Sequence, residues 1–265
     1  MVNKTTFKQY LLEAEGKMTP AESQKDLFGN IVDGKFNKDG SKLEVHNFIC
    51  KNTPLVSLEG APQLVANYFN CIHNLELTSL KGGPKKVGGD FNCSNNPELT
   101  SLEGAPQTID GNFECKYNPK LTSLIGAPQK VDNIFDCSIN NLHSLEGCPQ
   151  TTGTFSCSTN PELTSLEGAP QLIKGTFYCK ANLKIRSLAR INFYIHEING
   201  DRADFTGCPI KSNVLGLLKI RNLKKVEFDD EKLQEIMNRH LPIGDSTDCI
   251  DDLLDAGYGK EYCKW

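Results

Sequence analysis

The chain has 265 residues, of which 38% are hydrophobic and 23% are charged, and its 29 Lys and Arg against 33 Asp and Glu give a formal net charge of −4. A hydrophobic fraction this low disfavours one large compact core, and the absence of a basic block argues against a nucleic-acid or anionic-membrane surface. No run reaches the ~18 to 20 apolar residues of a membrane span, and an odd count of 11 cysteines without a secretory signal indicates a reducing compartment.

The first predicted element is an amphipathic helix over residues 5–15. Phe7, Tyr10 and Leu11 share one helical face there, so we interpret the helix as a cap over the first repeat. The polar stretch that follows is interpreted as a linker. Residues 1–27 are therefore predicted to form an N-terminal helix and linker.

The same segment resembles the short capsid-targeting leader of internal head proteins in large tailed bacteriophages. That leader has an aromatic-rich helical stretch and ends in a Leu-x-Glu cleavage site for the prohead protease. The matching residues are Phe7, Tyr10 and Leu11-Leu12-Glu13, with cleavage expected after Glu13. The resemblance implies a protein that travels in the virion and enters the host with the DNA.

A repeat of about 22 residues dominates the middle of the chain. The segment LTSLEGAPQ at 99–107 recurs as LTSLIGAPQ at 121–129 and as LTSLEGAPQ at 163–171. Cysteines keep the same period, at intervals of 21, 22, 22, 22, 20 and 22 residues, and each follows a phenylalanine by two positions. These cysteines are Cys50, Cys71, Cys93, Cys115, Cys137, Cys157 and Cys179. Stacked copies can bury an apolar face that one copy cannot, which predicts a solenoid.

Each fixed position of the unit V-x-x-x-F-x-C-x-x-N-x-x-L-x-S-L-x-G-A-P-Q has a physical role. Phe and Cys alternate with other residues, which predicts a short strand with both side chains on its inner face. The Asn side chain can satisfy backbone groups where the chain leaves the strand, and stacked copies align these side chains into a ladder. The two leucines fill the interior, and Gly-Ala-Pro turns the chain.

The spacing F-x-C-x-x-N-x-x-L-x-x-L resembles the leucine-rich-repeat pattern L-x-L-x-x-N-x-L-x-x-L over residues 43 to 188, with one residue inserted after Asn. The C-terminal segment, LLKIRNLKKVEF followed by GDSTDCIDDLLDAGYGKEY, resembles the tail of similar arrays in uncharacterised phage proteins. The resemblance implies a mainly β, leucine-rich-repeat-like solenoid with terminal helices. Because no unit has room for a long convex helix, a turn, a 3₁₀ segment or a short second strand is expected around Gly-Ala-Pro.

Degenerate copies of the unit bracket the array. Residues 32–43 match the strand half with Lys38 in the cysteine position, and residues 203–210 match it again at the far end. Terminal repeats of a solenoid are expected to be atypical because one of their faces meets solvent or a cap. The repeat solenoid is therefore predicted to span residues 28–210.

After residue 210 the apolar period changes from 2 to 3.6, so 211–265 are predicted to form a C-terminal helical cap module. Between the first two helices, residues 223–228 are predicted as a final strand, and Gly257 is predicted to cap the last helix. The predicted helices cover 212–220, 230–241 and 246–256.

No catalytic, cofactor or metal site is predicted. The cysteines include no C-x-x-C pair and lie one coil apart, so they cannot converge on zinc, and a buried column of free thiols is the favoured interpretation. The histidines occupy unlike positions, and His240 is interpreted as a surface or cap residue. A column of glutamates in the repeat turns is interpreted as a hydrated edge. These glutamates are Glu59, Glu103, Glu146 and Glu167.

The informative residues are the strand residues that point away from the core. Core positions hardly vary between copies, whereas these vary freely, which is typical of a scaffold with an individual surface. Apolar side chains set among hydrogen-bonding ones suit a protein contact. The predicted contact residues are Ile49, Tyr68, Asn70, Ile72, Asp90, Asn92, Asn112, Glu114, Lys116, Ile134, Asp136, Tyr178 and Lys180.

The sequence therefore predicts a non-enzymatic scaffold without cofactor that binds a protein through the sheet face, and neither nucleic acid nor membrane. The phage resemblances imply a phage-encoded chain that engages a host or phage protein, with inhibition of a host defence as its effect. The expected location is the host cytoplasm, and the virion interior before delivery. The alternative is a virion-packaged or capsid-associated structural protein.

Overall fold

A computed structural model describes residues 31–32, 35–36, 44–200, 202–244 and 246–265. The predicted N-terminal helix and linker at 1–27, the leader with its cleavage after Glu13, and most of the degenerate copy at 32–43 lie outside these residues.

The described chain is mainly β, and most of its strands are two residues long. A first pair of strands is antiparallel, and the other fifteen described strands form one sheet in which the paired strands run parallel. The strands are β1 (Ile31–Val32), β2 (Lys35–Phe36), β3 (Glu44–Val45), β4 (Phe48–Ile49), β5 (Leu64–Val65), β6 (Phe69–Asn70), β7 (Lys86–Val87), β8 (Phe91–Asn92), β9 (Thr108–Ile109), β10 (Phe113–Glu114), β11 (Lys130–Asp136), β12 (Thr151–Ser156), β13 (Leu172–Ile173), β14 (Phe177–Tyr178), β15 (Glu197–Ile198), β16 (Arg202–Asp204) and β17 (Lys225–Glu227).

Each coil contributes to two parallel ladders that meet at a corner. The phenylalanine ladder runs through β4, β6, β8, β10, the ends of β11 and β12, β14, β16 and β17. The second ladder runs through β3, β5, β7, β9, the starts of β11 and β12, β13 and β15. The fold is therefore a parallel β-solenoid with coils of about 22 residues. Of the three structures expected around Gly-Ala-Pro, the chain adopts a turn followed by the short second strand.

The core is a set of identical side chains stacked in register. Phe69 pairs with Phe91 and Phe91 with Phe113, and their ring centroids lie 5.0 and 5.5 Å apart. The ladder cysteines, the repeat leucines and the second-ladder Val and Ile residues are likewise buried. Each coil therefore completes the core of its neighbours, as the repeat predicted.

The last two coils keep the register but exchange the residue types. Ala203 pairs with Phe177, and Val226 pairs with Ala203, so small residues take the phenylalanine position. Phe205 and Phe228 then occupy the cysteine position, and their rings lie 5.7 Å apart. A large side chain thus stays at one of the two inward positions of each coil, while the Phe-x-Cys signature is lost.

The C-terminal region contains the predicted final strand and two of the three predicted α-helices. The segment 223–228 contains β17, while 212–220 contains a 3₁₀ helix (Val214–Lys219) in place of an α-helix. The α-helices are the short α1 (Ile191–Tyr194), α2 (Glu231–His240) and α3 (Ser246–Asp255). Gly257 has φ of 90° and caps α3 as expected. Among the described helices, none has the length and apolar character that crossing a membrane requires.

Helix α2 closes the last edge of the sheet with side-chain amides. The backbone N–H of Val226 donates to Asn238 Oδ1 at 2.7 Å, and Asn238 Nδ2 donates to the Val226 carbonyl at 3.1 Å. The N–H of Phe228 donates to Gln234 Oε1 at 3.1 Å. These amides take the hydrogen bonds that a further strand would have made.

Candidate functional site

All thirteen predicted contact residues lie on the outward side of the phenylalanine ladder, where strand alternation points them away from the buried Phe and Cys side chains. They form three rows that run across the coils. The central row follows the core phenylalanines by one residue and contains Ile49, Asn70, Asn92, Glu114, Asp136 and Tyr178. The corner row precedes the phenylalanines by one residue and contains Tyr68, Asp90, Asn112 and Ile134. The trailing row contains Ile72, Lys116 and Lys180.

Side chains of the central row are joined from coil to coil by a hydrogen bond and by ion pairs. Asn92 Nδ2 donates to Glu114 Oε2 at 3.0 Å. Lys116 Nζ lies 3.2 Å from Glu114 and 3.5 Å from Asp136, so one ammonium holds two carboxylates on adjacent rungs. Burial alone would lower the pKa of Lys116, but its contacts with Glu114 and Asp136 raise it. The middle of the face is thus acidic yet ordered.

A second charged cluster extends the face into the last coils, and the sequence interpretation missed it. The buried carboxylate of Asp204 lies 2.9 Å from Lys180 Nζ and 3.1 Å from an Arg202 nitrogen. Arg202 also lies 2.5 Å from Glu227. Burial acts to raise the pKa of Asp204, but bonds from Thr206 and Lys180 outweigh it and hold that pKa at about 2. The alternation in β16, where Arg202 and Asp204 flank the inward Ala203, was the sequence signal that could have indicated this cluster.

The apolar contact residues are distributed over the face and form no single patch. Ile134 is 40% exposed, whereas Ile49, Tyr68 and Ile72 are half-buried between polar neighbours. The Tyr178 ring lies 5.9 Å from Lys180 Nζ, in cation–π contact. A partner would meet separate apolar points within a hydrogen-bonding surface.

Two depressions interrupt this face. The Tyr68 depression has a volume of about 130 Å³, and its lining includes Tyr68, Asn70, Asp90, Asn92 and Glu114. The Gly153 notch has a volume of 470 Å³ and lies at the corner between the two ladders. Its walls include Asn112, Asp132, Asn133, Ile134, Thr154 and Lys174. Both depressions include corner-row residues.

The cysteine column has the properties of packing rather than of chemistry. All eleven cysteines are free, and ten of them are buried. Burial raises the pKa of Cys50, Cys71 and Cys93, so these groups are thiols at neutral pH and poor nucleophiles. Within the described part of the chain, no three His, Cys, Asp or Glu side chains are grouped to hold a metal ion.

The turn glutamates and His240 differ in their exposure to solvent. Glu103, Glu146 and Glu167 are exposed in the turns, as the hydrated edge predicted, whereas Glu59 is half-buried. His240 is buried and not on the surface, because it ends α2 against α3, where its Nε2 lies 2.8 Å from Asp252 Oδ2. This pair joins the two helices.

Comparisons of the chain with models of protein families, with curated proteins and with solved structures found no match.

Proposed function

We propose that this chain is a non-enzymatic protein-binding scaffold that engages its partner through the outward face of the phenylalanine ladder. The observation that carries this proposal is the contrast between the two sides of each strand. The inward side repeats Phe and Cys from coil to coil, whereas the central row reads Ile, Asn, Asn, Glu, Asp, Ser and Tyr over the same coils. A uniform interior beneath a non-repeating surface suits recognition of one specific partner.

The proposed partner is a host protein, and the proposed origin of the chain is a large tailed bacteriophage. The support is the resemblance of the N-terminus to a capsid-targeting leader and of the C-terminal segment to the tail of phage repeat arrays. The chain would act in the host cytoplasm, with inhibition of a host defence as its effect. Mass measurement on virion-associated protein tests the leader, because a packaged chain should begin after Glu13, and an intact Met1 end would contradict it.

The second candidate function is a capsid-associated structural protein whose face binds another virion component. The leader resemblance favours it, since internal head proteins carry such leaders. The two functions differ in the partner that the same face selects.

The decisive experiment is a pull-down from infected cells with the tagged full-length chain. The test variant combines Tyr68→Ala, Ile134→Asp and Tyr178→Ala, which removes three of the apolar contact points. The control combines Thr122→Ala, Ile125→Asp and Thr164→Ala, which alters exposed side chains away from the face.

We expect the test variant to capture at least tenfold less of the specific host protein than the original chain does. The control variant should capture as much as the original chain. Capture of capsid proteins alone, lost in the same variant, would support the structural function instead. Retention of every partner by the test variant would show that the face is not the binding surface.

A further inference from the structure

The corner row connects the two depressions into one continuous surface. The backbone N–H of Asn112 donates to Asp90 Oδ1 at 2.7 Å, and the N–H of Ile134 donates to Asn112 Oδ1 at 3.1 Å. The Asp90 and Asn112 side chains of the row thus each brace the next coil. The Tyr68 depression and the Gly153 notch are consequently held in a fixed relative position.

The Gly153 notch exists because one coil is a residue shorter at the corner. Phe135 lies six positions after Gln129, but Phe155 lies only five positions after Gln150. Asp132 and Asn133 therefore face the single residue Gly153, where the strand register shifts. A Cβ at Gly153 would lie 2.1 Å from the Asn133 carbonyl oxygen, so the floor of the notch is bare backbone.

The lining of the notch suits an aliphatic side chain between two peptide groups. Ile134 supplies an apolar wall that is 40% exposed. The side-chain amide of Asn133 and the hydroxyl of Thr154 have no side-chain hydrogen bond within the described residues, so both can bond to peptide groups of a ligand. Lys174 and Asp132, 4.0 Å apart, form a charged rim.

The Tyr68 depression suits a guanidinium group. One carboxylate oxygen of Asp90 accepts the Asn112 N–H, and among the described residues no cation pairs with Asp90. Glu114 adds a second carboxylate that Lys116 only partly neutralises. An aromatic ring beside a carboxylate matches arginine, which stacks on the ring and donates two parallel hydrogen bonds to the acid.

We infer that the face takes an extended segment of its partner that carries an arginine and an aliphatic residue four positions apart. The coil of Phe155 lies three coil-to-coil steps beyond the coil of Phe91, which is about 14 Å at ~4.8 Å per step. Four residues of extended chain span about the same distance at ~3.4 Å each, and an even separation points both side chains to one side. This inference rests on the proposed function and specifies the partner's chemistry.

The test uses two synthetic peptides, acetyl-Arg-Ser-Gly-Ser-Leu-amide and its reversed sequence, titrated into the ¹⁵N-labelled full chain and followed by NMR. For one of the two orders, amide signals of both depressions should shift together. A peptide with Arg and Leu two positions apart should bind at least tenfold more weakly, and so should a peptide with citrulline in place of arginine. If neither order shifts both sets of signals, the inference is wrong.

Two variants assign the effect to the depressions. Insertion of one Asp between Thr152 and Gly153 restores the six-position interval from Gln to Phe that the other coils have, so the variant should fold normally yet bind the peptide at least tenfold more weakly. Asp90→Asn should abolish the preference for arginine over citrulline, while Asp110→Asn, an exposed neighbour outside both depressions, should keep it. Unchanged binding by the insertion variant would overturn the assignment to the notch.

The two proposals can fail separately. If the pull-down partner is lost with the face variant but no peptide shifts both depressions, the scaffold function stands and this inference is wrong. If the peptides bind but the pull-down partner survives the face variant, the peptide site exists without the proposed function.

Discussion

At the residue scale, one strained backbone conformation recurs in every regular coil, two residues after the ladder cysteine. The φ angles there lie between 52 and 59°. Asn tolerates this left-handed region, whereas β-branched residues are costly in it. The residues are Asn52, His73, Asn95, Tyr117, Ile139, Thr159 and Ala181. The repeat imposes the turn even where the side chain opposes it.

We therefore predict that Ile139→Asn stabilises the protein by about 1 kcal/mol, because it relieves the strain of a β-branched residue at positive φ. Urea unfolding of the full chain would measure the change. Ile125→Asn is the matched control, since Ile125 is exposed without positive φ and its replacement should change stability by less than about 0.5 kcal/mol. Equal effects at the two positions would contradict the strain argument.

Asp204 gives the stability a defined acid dependence. Because its pKa is about 2 in the folded chain, against an ordinary value of 3.8, it favours folding above about pH 4, and this contribution is lost as the pH falls through 2. The shift corresponds to about 2 kcal/mol. We expect Asp204→Asn to destabilise the chain by about that amount at pH 7, with a smaller difference at pH 2. A constant difference in urea unfolding at both pH values would contradict this assignment.

At the element scale, helix α2 covers the outer edge of β17, the last strand of the sheet. Asn238 pairs with both backbone groups of Val226, so Asn238→Leu leaves a donor and an acceptor unpaired. We predict a loss of about 1 to 3 kcal/mol in urea unfolding. We also expect end-to-end association in analytical ultracentrifugation, because a free strand edge templates pairing.

Glu235→Leu provides the control for this prediction. It adds the same apolar side chain to an exposed position of α2 whose own side chain is 76% exposed. It should leave the chain monodisperse and nearly as stable as the original. Association of both variants to the same extent would attribute the effect to the added leucine rather than to the edge.

The elements differ in how far the sequence predicted them. The strand at F-x-C was predictable because alternation and a 22-residue period agree there. The second ladder was one of three alternatives, since two-residue strands such as β5 and β7 carry too little periodicity to be recognised. The 3₁₀ helix at Val214–Lys219 was predicted as an α-helix because its apolar residues share the helical period, yet residues 214–218 are all buried.

At the scale of the whole molecule, the solenoid and its outward rows were predictable from the repeat, because register is set when identical core side chains stack. The two depressions could not be predicted from the repeat. The Gly153 notch arises from one missing residue, and its depth depends on how two neighbouring coils close around the gap. The Asp204 cluster lies in the degenerate copy, where Ala203 takes the phenylalanine position, so the match of this segment to the repeat did not show which of its side chains face outward.

The buried thiol column gives this solenoid an internal set of reporters. A thiol shielded from solvent reacts with an alkylating reagent only when its surroundings open, so its labelling rate reports a local opening free energy. Seven successive coils, from Cys50 to Cys179, each place one such thiol at the same depth. Labelling resolved by peptide mass would therefore map, coil by coil and without any introduced probe, where the stack first comes apart and how far that opening spreads.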